Sequence, residues 1–216
     1  IPRNFKKKYL NSQFVIAVNY IEGHKLENRN DLFWFKNSDI EPSSVLVYFE
    51  SEKRMNRYAA DKELFQKLDN YGVKTIKLWK WSNIGKVDFL EELLKNIYQS
   101  KPKDSIEKWL VRESKTLIAK LEFWYSFFKD QNVKIHINST EYGLSNIVRQ
   151  IALTKLEGCS IGKLRSVPRK LRGDWFAYYP NNSFFTWGKD SAKGMIKSGN
   201  HFDNLIISGY PYPEEA

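Results

Sequence analysis

Short apolar runs of strand length recur along the chain and are separated by longer stretches of mixed polarity. Val45–Phe49 is the clearest run, because all five side chains are aliphatic or aromatic, as in a central parallel strand with both faces buried. Six further runs, shorter or interrupted by polar residues, also predict strands. They cover residues 14–18, 74–79, 133–137, 158–162, 184–185 and 204–208.

Helical patterns lie between these runs. The first ends at Tyr71-Gly72 and the last at Ser198-Gly199, with glycine where a helix C-terminus favours it. The alternation of strands and helices predicts a Rossmann-like α/β fold, a parallel sheet of about five to seven strands with helices on both faces. The predicted helices cover residues 52–70, 89–97, 105–130, 141–156 and 189–197.

The helix predicted for residues 105–130 begins after Pro102, and Asp104 or Ser105 can cap it. An apolar stripe runs along this helix, and one interpretation places the stripe in the core. The alternative makes it a membrane-interface or lipid-acceptor surface, because lysines flank it. The stripe comprises Trp109, Leu110, Leu117, Leu121, Trp124, Phe127 and Phe128, and the lysines are Lys115, Lys120 and Lys129.

The chain is basic, with a net charge of +10 and a pI near 9.4. This charge predicts attraction to anions without choosing among nucleic acid, anionic lipid, sugar nucleotides and acidic glycans. No RNA-recognition, KH or zinc-finger signature accompanies it, so a nucleic-acid partner is not expected. One basic segment beside glycines is either a phosphate or carboxylate site or a simple basic loop. It contains Lys163, Arg165, Arg169, Lys170 and Arg172.

The cysteine content and the hydropathy of the chain indicate the cellular compartment in which we expect the protein. Cys159 is the only cysteine, so no internal disulfide can form, and a reducing cytosolic setting is favoured. No stretch approaches the roughly 20 apolar residues that span a bilayer, and residues 14–18 are too few for a signal-peptide core. We therefore expect a cytoplasmic protein. A peripheral contact of this protein with the anionic inner face of a membrane is compatible with these observations.

No metal site is predicted, because His24, His136 and His201 are scattered. His136 lies within a strand pattern and is expected to be a core residue. The chain has no Gly-x-Gly-x-x-Gly, Walker loop, Asp-x-Asp pair or Gly-x-Ser-x-Gly elbow. The motifs therefore indicate neither a metal nor a bound cofactor.

The junction after the strand at 133–137 is the best candidate for chemistry, since open parallel sheets bind ligands at the carboxyl ends of their strands. Glu141 is a candidate general base there, which would deprotonate an acceptor hydroxyl. The alternative is helix capping by Ser139 or Thr140, with Glu141 stabilised in the first helical turn.

The other candidate substrate-binding residues are His24, Ser139, Arg165, Arg169 and Arg172, of which Arg165 and His24 are expected to join Glu141 on one rim of the sheet. The rim itself is predicted to be formed by the strand ends at Asn19, Glu50, Asn138, Lys163 and Gly188.

The C-terminal part of the chain carries a family resemblance. Trp187-Gly188, a helix, the strand at 204–208 and Gly209-Tyr210-Pro211 resemble the end of the N-terminal lobe of two-lobed GT-B glycosyltransferases of surface-polysaccharide synthesis and their glycerophosphotransferase relatives. The resemblance implies that residues 1–211 form an acceptor-side lobe and that 212–216 begin the linker to a missing C-terminal, donor-binding lobe.

It further implies a glycan or lipid-linked acceptor, a nucleotide sugar as co-substrate of the full-length enzyme, and metal-independent transfer. The fragment alone is then expected to lack turnover. Two other hypotheses stay open. One is a basic nucleic-acid-binding module, since aromatic side chains can stack on bases. The other is a small α/β enzyme complete in itself.

Overall fold

The computed structural model describes residues 15–20, 35, 38–50, 59–85, 87–138, 143–164 and 178–209. Seven strands form one sheet in the order β3-β2-β1-β4-β5-β6-β7, and every neighbouring pair is parallel. The predicted parallel sheet is thereby confirmed. The strands are β1 (Val15–Asn19), β2 (Val45–Phe49), β3 (Lys74–Lys77), β4 (Val133–Ile137), β5 (Cys159–Lys163), β6 (Ser183–Thr186) and β7 (Asn204–Ile207).

Helices cover both faces of the sheet, as predicted. Val45 and Val47 pack on one face with α1, whereas the alternate residues Leu46 and Tyr48 pack on the other face with α2, α3 and α4. The helices of the described part of the chain are α1 (Ala59–Asn70), α2 (Asp88–Gln99), α3 (Ser105–Asp130), α4 (Leu144–Lys155) and α5 (Lys189–Lys197).

Local signals explain most of these boundaries. Gly72 and Gly199 follow α1 and α5 with φ of +77° and +84°, a conformation that favours glycine at helix ends. Asp104 caps α3 by accepting a hydrogen bond of 2.8 Å from the Glu107 backbone N–H. All five residues of β2 are buried, because β1 and β3 flank this strand and helices cover both of its faces.

Most predicted boundaries agree with the structure to within one or two residues, and two of the differences have a clear local cause. Helix α4 begins at Leu144 rather than at Glu141, because Gly143 has a φ of +119° that helical backbone cannot adopt. Strand β3 ends at Lys77 and continues as a 3₁₀ turn over Leu78–Lys80. The predicted helical residues 52–58 lie outside the described residues.

Helix α3 is longer than the sheet that it covers. Its 26 residues span about 39 Å, whereas a five-residue strand spans about 17 Å. The backbone N–H of Val15 donates to Asn132 at 3.1 Å, which places the C-terminal end of α3 at the amino edge of the sheet. The Trp124 ring lies 5.5 Å from that of Tyr48, near the carboxyl end of β2. Ile118 is the first residue of α3 that is buried in the core, so the 13 residues before it extend up to about 20 Å past the covered part of the helix.

This geometry divides the apolar stripe of α3. Its C-terminal members pack in the core as expected: Leu121, Trp124, Phe127 and Phe128. The interpretation of the whole stripe as core is wrong for Trp109, Leu110 and Leu117, which are exposed because the sheet beneath them has ended.

Candidate functional site

The carboxyl edge of the sheet carries the candidate site. Because the strands are parallel, Asn19, Glu50, Asn138, Lys163 and Gly188 all follow or end strands at this edge, as predicted. The strand order reverses its direction of growth between β1 and β4, and such a switch point opens a crevice at the carboxyl ends of the strands.

A group of polar side chains lies at or beside this edge, and we call it the carboxyl-edge cluster. Its amides belong to Asn19, Asn138, Asn146 and Asn181, and its charged members are Glu50 and Arg149. All except Glu50 are buried, which is unusual for polar residues unless they are hydrogen-bonded.

Arg149 is the centre of the cluster. Its guanidinium forms an ion pair with the Glu50 carboxylate and donates a hydrogen bond of 3.1 Å to Asn146 Oδ1. It also lies over the indole of Trp124, 4.3 Å from the ring centroid, where a cation–π contact is favourable. These contacts hold a cation inside the fold at the first turns of α4.

Glu50 differs from its partner because its side chain remains partly open to solvent. Arg149 binds one of its carboxylate oxygens, Oε1. The result is an anchored carboxylate at the carboxyl edge, and a carboxylate can accept hydrogen bonds from hydroxyl groups of a bound molecule.

Asn138 and Asn181 form the second part of the cluster. Asn138 Nδ2 donates to Asn181 Oδ1 at 2.5 Å. Asn181 can lie across β5 because Gly162 has no side chain, and a Cβ at Gly162 would be 2.6 Å from Asn181 Nδ2. Among the described residues, neither Asn138 Oδ1 nor Asn181 Nδ2 has a hydrogen-bond partner, although both are buried. Such atoms require a water or a ligand, or a partner elsewhere in the chain.

A neutral pair lies beneath the edge. The Tyr48 hydroxyl and His136 Nε2 are 2.7 Å apart across β1, where Ala17 leaves room between them. Burial, together with the charge of Arg149, holds the pKa of His136 well below its ordinary value, and burial raises the pKa of Tyr48. Both groups are therefore uncharged, and the prediction that His136 is a core residue is confirmed.

The residues chosen from the sequence as a site lie outside the described residues: His24, Ser139, Glu141, Arg165, Arg169 and Arg172. They stay predictions. The chain enters their segments after Tyr20, Asn138 and Leu164, which follow the three neighbouring strands β1, β4 and β5.

Sequence reasoning named Glu50 and Asn138 only as strand ends and missed Arg149, Asn146 and Asn181. A signal for Arg149 was available, because it precedes the buried residues Ala152 and Leu153 by three and four positions. That spacing places it on the buried stripe of α4, where an arginine needs a partner.

The described part of the chain contains no group of three or more His, Cys, Asp or Glu residues placed to bind a metal ion. Across the same residues, no helix combines the length and the apolar character that crossing a bilayer requires. In comparisons with protein-family models, curated proteins and solved structures, nothing matches this chain.

Proposed function

We propose that this chain is the acceptor-binding lobe of a metal-independent, two-lobed glycosyltransferase of cell-surface polysaccharide biosynthesis. The observation that carries the proposal is the carboxyl-edge cluster beside the switch point of the sheet. Its carboxylate and amide groups suit a sugar, because each sugar hydroxyl both donates and accepts hydrogen bonds.

In this proposal Glu50 accepts a hydrogen bond from an acceptor hydroxyl, and Arg149 positions the Glu50 carboxylate. Asn138 and Asn181 bind further hydroxyls through the atoms that lack partners in the described chain. Glu141 remains the proposed general base, because its segment begins directly after Asn138.

The other proposed acceptor contacts follow the neighbouring strands. Ser139 and His24 would contact hydroxyls, whereas Arg165, Arg169 and Arg172 would bind a phosphate of a lipid-linked acceptor through charge-assisted hydrogen bonds.

The position of β7 supports the two-lobed arrangement. This strand lies at the edge of the sheet and ends on the same side as the carboxyl-edge cluster. The Ser208 backbone N–H donates to Thr186 at 2.9 Å, and Gly209 then turns with a φ of +79°. The Gly-x-Pro segment that resembles an interlobe connection thus starts at the same edge of the sheet as the proposed site, three strands away from β4. The nucleotide sugar would be held by the second lobe, with no metal or other cofactor.

The proposal can be tested by titrating the isotopically labelled chain with N-acetylglucosamine, galactose and glycerol 3-phosphate. We expect the side-chain NH₂ signals of Asn138 and Asn181 to shift with at least one of these probes. The proposal is wrong if none of the probes moves either signal, or if UDP moves them at lower concentration than every sugar probe does.

A variant makes this test residue-specific. Glu50→Gln should weaken binding of the effective probe by about tenfold or more, because a charge-assisted hydrogen bond is lost. Asn96→Ala and Glu92→Gln, at exposed positions of α2, are the matched controls and should bind normally. Melting curves show whether the Glu50→Gln variant is folded. If the variant is unfolded, the titration of the unmodified chain alone decides the test.

The net charge of +10 supports the alternative of a nucleic-acid-binding module. A gel shift with random oligonucleotides across a salt series separates the two functions. Tight binding with a steep salt dependence would favour the nucleic-acid module and count against the transferase proposal.

A further inference from the structure

Helices α2 and α3 form an antiparallel pair that Leu90 and Ile118 anchor in the core and that projects outward from there, and we call residues 88–120 the helical arm. Phe89 of α2 packs against Tyr125 of α3, with ring centroids 5.3 Å apart. Nearer the tip, Lys115 Nζ lies 4.6 Å from the centroid of the Tyr98 ring. The tip is therefore the turn at residues 100–104, beyond the carboxyl edge of the sheet.

The arm exposes large apolar side chains to solvent. Ile106, Trp109 and Leu110 of α3 have exposed fractions of 67%, 51% and 50%. They are spaced by three and four positions, so they share one face of the helix. Leu93 and Tyr98 of α2 are exposed to 51% and 68%. Apolar groups with this exposure, grouped on one projecting element, mark a binding surface.

The same part of the arm is positively charged. Between residues 95 and 120 the chain has seven lysines and arginines but only three acidic residues, and all seven basic residues are exposed. The acidic residues are Asp104, Glu107 and Glu113, and the basic ones are Lys95, Lys101, Lys103, Lys108, Arg112, Lys115 and Lys120.

We infer that the helical arm binds the surface of an anionic lipid bilayer, with Ile106, Trp109 and Leu110 inserted at the level of the headgroups. Apolar and aromatic residues bordered by lysines are typical of helices that lie in a membrane interface. Tryptophan and tyrosine favour this depth because their rings are amphipathic. A second copy of the chain is a poorer occupant, since two chains that each carry a net charge of +10 repel each other.

The inference does not depend on the proposed function. If both hold, the bilayer would lie on the carboxyl-edge side of the sheet, where a lipid-linked acceptor could reach the cluster.

Co-sedimentation with lipid vesicles tests the inference directly. We expect the chain to bind vesicles containing about 30% phosphatidylglycerol in phosphatidylcholine, and to bind pure phosphatidylcholine at least about tenfold more weakly. Binding should weaken between about 0.05 M and 0.5 M salt, because salt screens the lysines. Equal binding to both vesicles, or binding to neither, would overturn the inference.

Two variants assign the contact to the arm. Trp109→Ser combined with Leu110→Ser should reduce vesicle binding by about tenfold or more, because buried apolar area is lost. Lys101→Gln, Lys103→Gln and Lys108→Gln together should reduce it by a similar factor, and only on anionic vesicles.

The matched control is Tyr178→Ser with Ile196→Ser, which removes two exposed apolar side chains away from the arm and should leave binding unchanged. All of these positions are on the surface, so folding should persist and can be checked by melting curves. If the control weakens binding as much as the arm variants do, the arm is not the contact. Analytical centrifugation tests the alternative occupant. If the unmodified chain forms a dimer that the Trp109 variant does not form, and if vesicles do not dissociate that dimer, a second copy of the chain covers the arm and the inference fails.

Discussion

Arg149 and Glu50 form an ion pair of unequal burial: the arginine side chain is 2% exposed, whereas that of the glutamate is 35% exposed. Removing either partner leaves the other unpaired, but in different surroundings. A lone guanidinium at this site would stay buried without its counter-charge, whereas a lone carboxylate could be hydrated.

The two single variants should therefore differ in stability. Glu50→Ala should lower the free energy of unfolding by about 3 kcal/mol, and Arg149→Met by about 1–2 kcal/mol, because only the first leaves a buried charge unpaired. The double variant should be more stable than Glu50→Ala alone. Urea denaturation of the three proteins measures this, and equal losses for the two single variants would contradict the burial argument.

His136 should make stability depend on pH. Its pKa in the folded protein lies well below 6.5, so at lower pH the unfolded chain binds a proton that the folded chain does not. The contribution to stability is complete above about pH 6.5. It is lost as the pH falls from there towards the folded-state pKa, by up to about 1.4 kcal/mol per pH unit.

The measurement is the free energy of unfolding between about pH 7.5 and 4.5 for the unmodified chain and for His136→Gln. The difference in the free energy of unfolding between the unmodified chain and His136→Gln should shrink as the pH falls. If the two curves stay parallel over the whole range, the folded-state pKa of His136 is not lowered.

Gly162 should not tolerate a side chain. A Cβ at this position would lie 2.6 Å from Asn181 Nδ2 and 2.7 Å from Phe184 Cδ2. Gly162→Ala should therefore lower the free energy of unfolding by about 1–3 kcal/mol and broaden the side-chain signal of Asn181.

Gly194 in α5 is the control, since nothing lies within 4 Å of a Cβ there. Gly194→Ala should raise stability by about 0.5–1 kcal/mol, because alanine is the better helix former. Thermal melts of both variants test the contrast, and a stabilised Gly162→Ala would show that Asn181 does not lie over β5.

The cap at Asp104 should act on the arm alone. Asp104→Ala removes the bond to the Glu107 N–H and weakens the end of α3 by about 1 kcal/mol. Because residues 105–117 are largely exposed, this end can open without unfolding the core. Hydrogen exchange should accelerate at the first turns of α3 while exchange in β1 and β2 is unchanged. Equal acceleration in both would indicate that the arm and the core unfold together.

The local pattern of the sequence was sufficient to predict the sheet and most of the helices. The burial of Val45–Phe49 on both faces and the helix ends at Gly72 and Gly199 could be predicted, because a few neighbouring residues in the sequence carry their signals. The cluster could not be predicted this way, since Glu50 and Arg149 are 99 positions apart and Tyr48 and His136 are 88 apart. Periodicity identifies a buried face but not the partner across it.

The stripe of α3 illustrates the same limit. Its helical spacing runs from Trp109 to Phe128, although only the second half is buried among the residues that the structure describes. Exposure of the first half follows from comparing the length of the helix with that of the strands, a relation between elements that no window of sequence contains.

The continuity of α3 has a mechanical consequence. The helix has neither glycine nor proline between Ser105 and Asp130, so it offers no hinge between the Trp109 face and the Trp124 contact with Arg149. A molecule bound at the tip is consequently held at a fixed distance from the Arg149–Glu50 pair and in a fixed orientation relative to it. Insertion of four residues before Leu117 would move the tip outward by about 6 Å and turn it by about 40°. The length of this helix thus determines both the reach and the orientation of the arm.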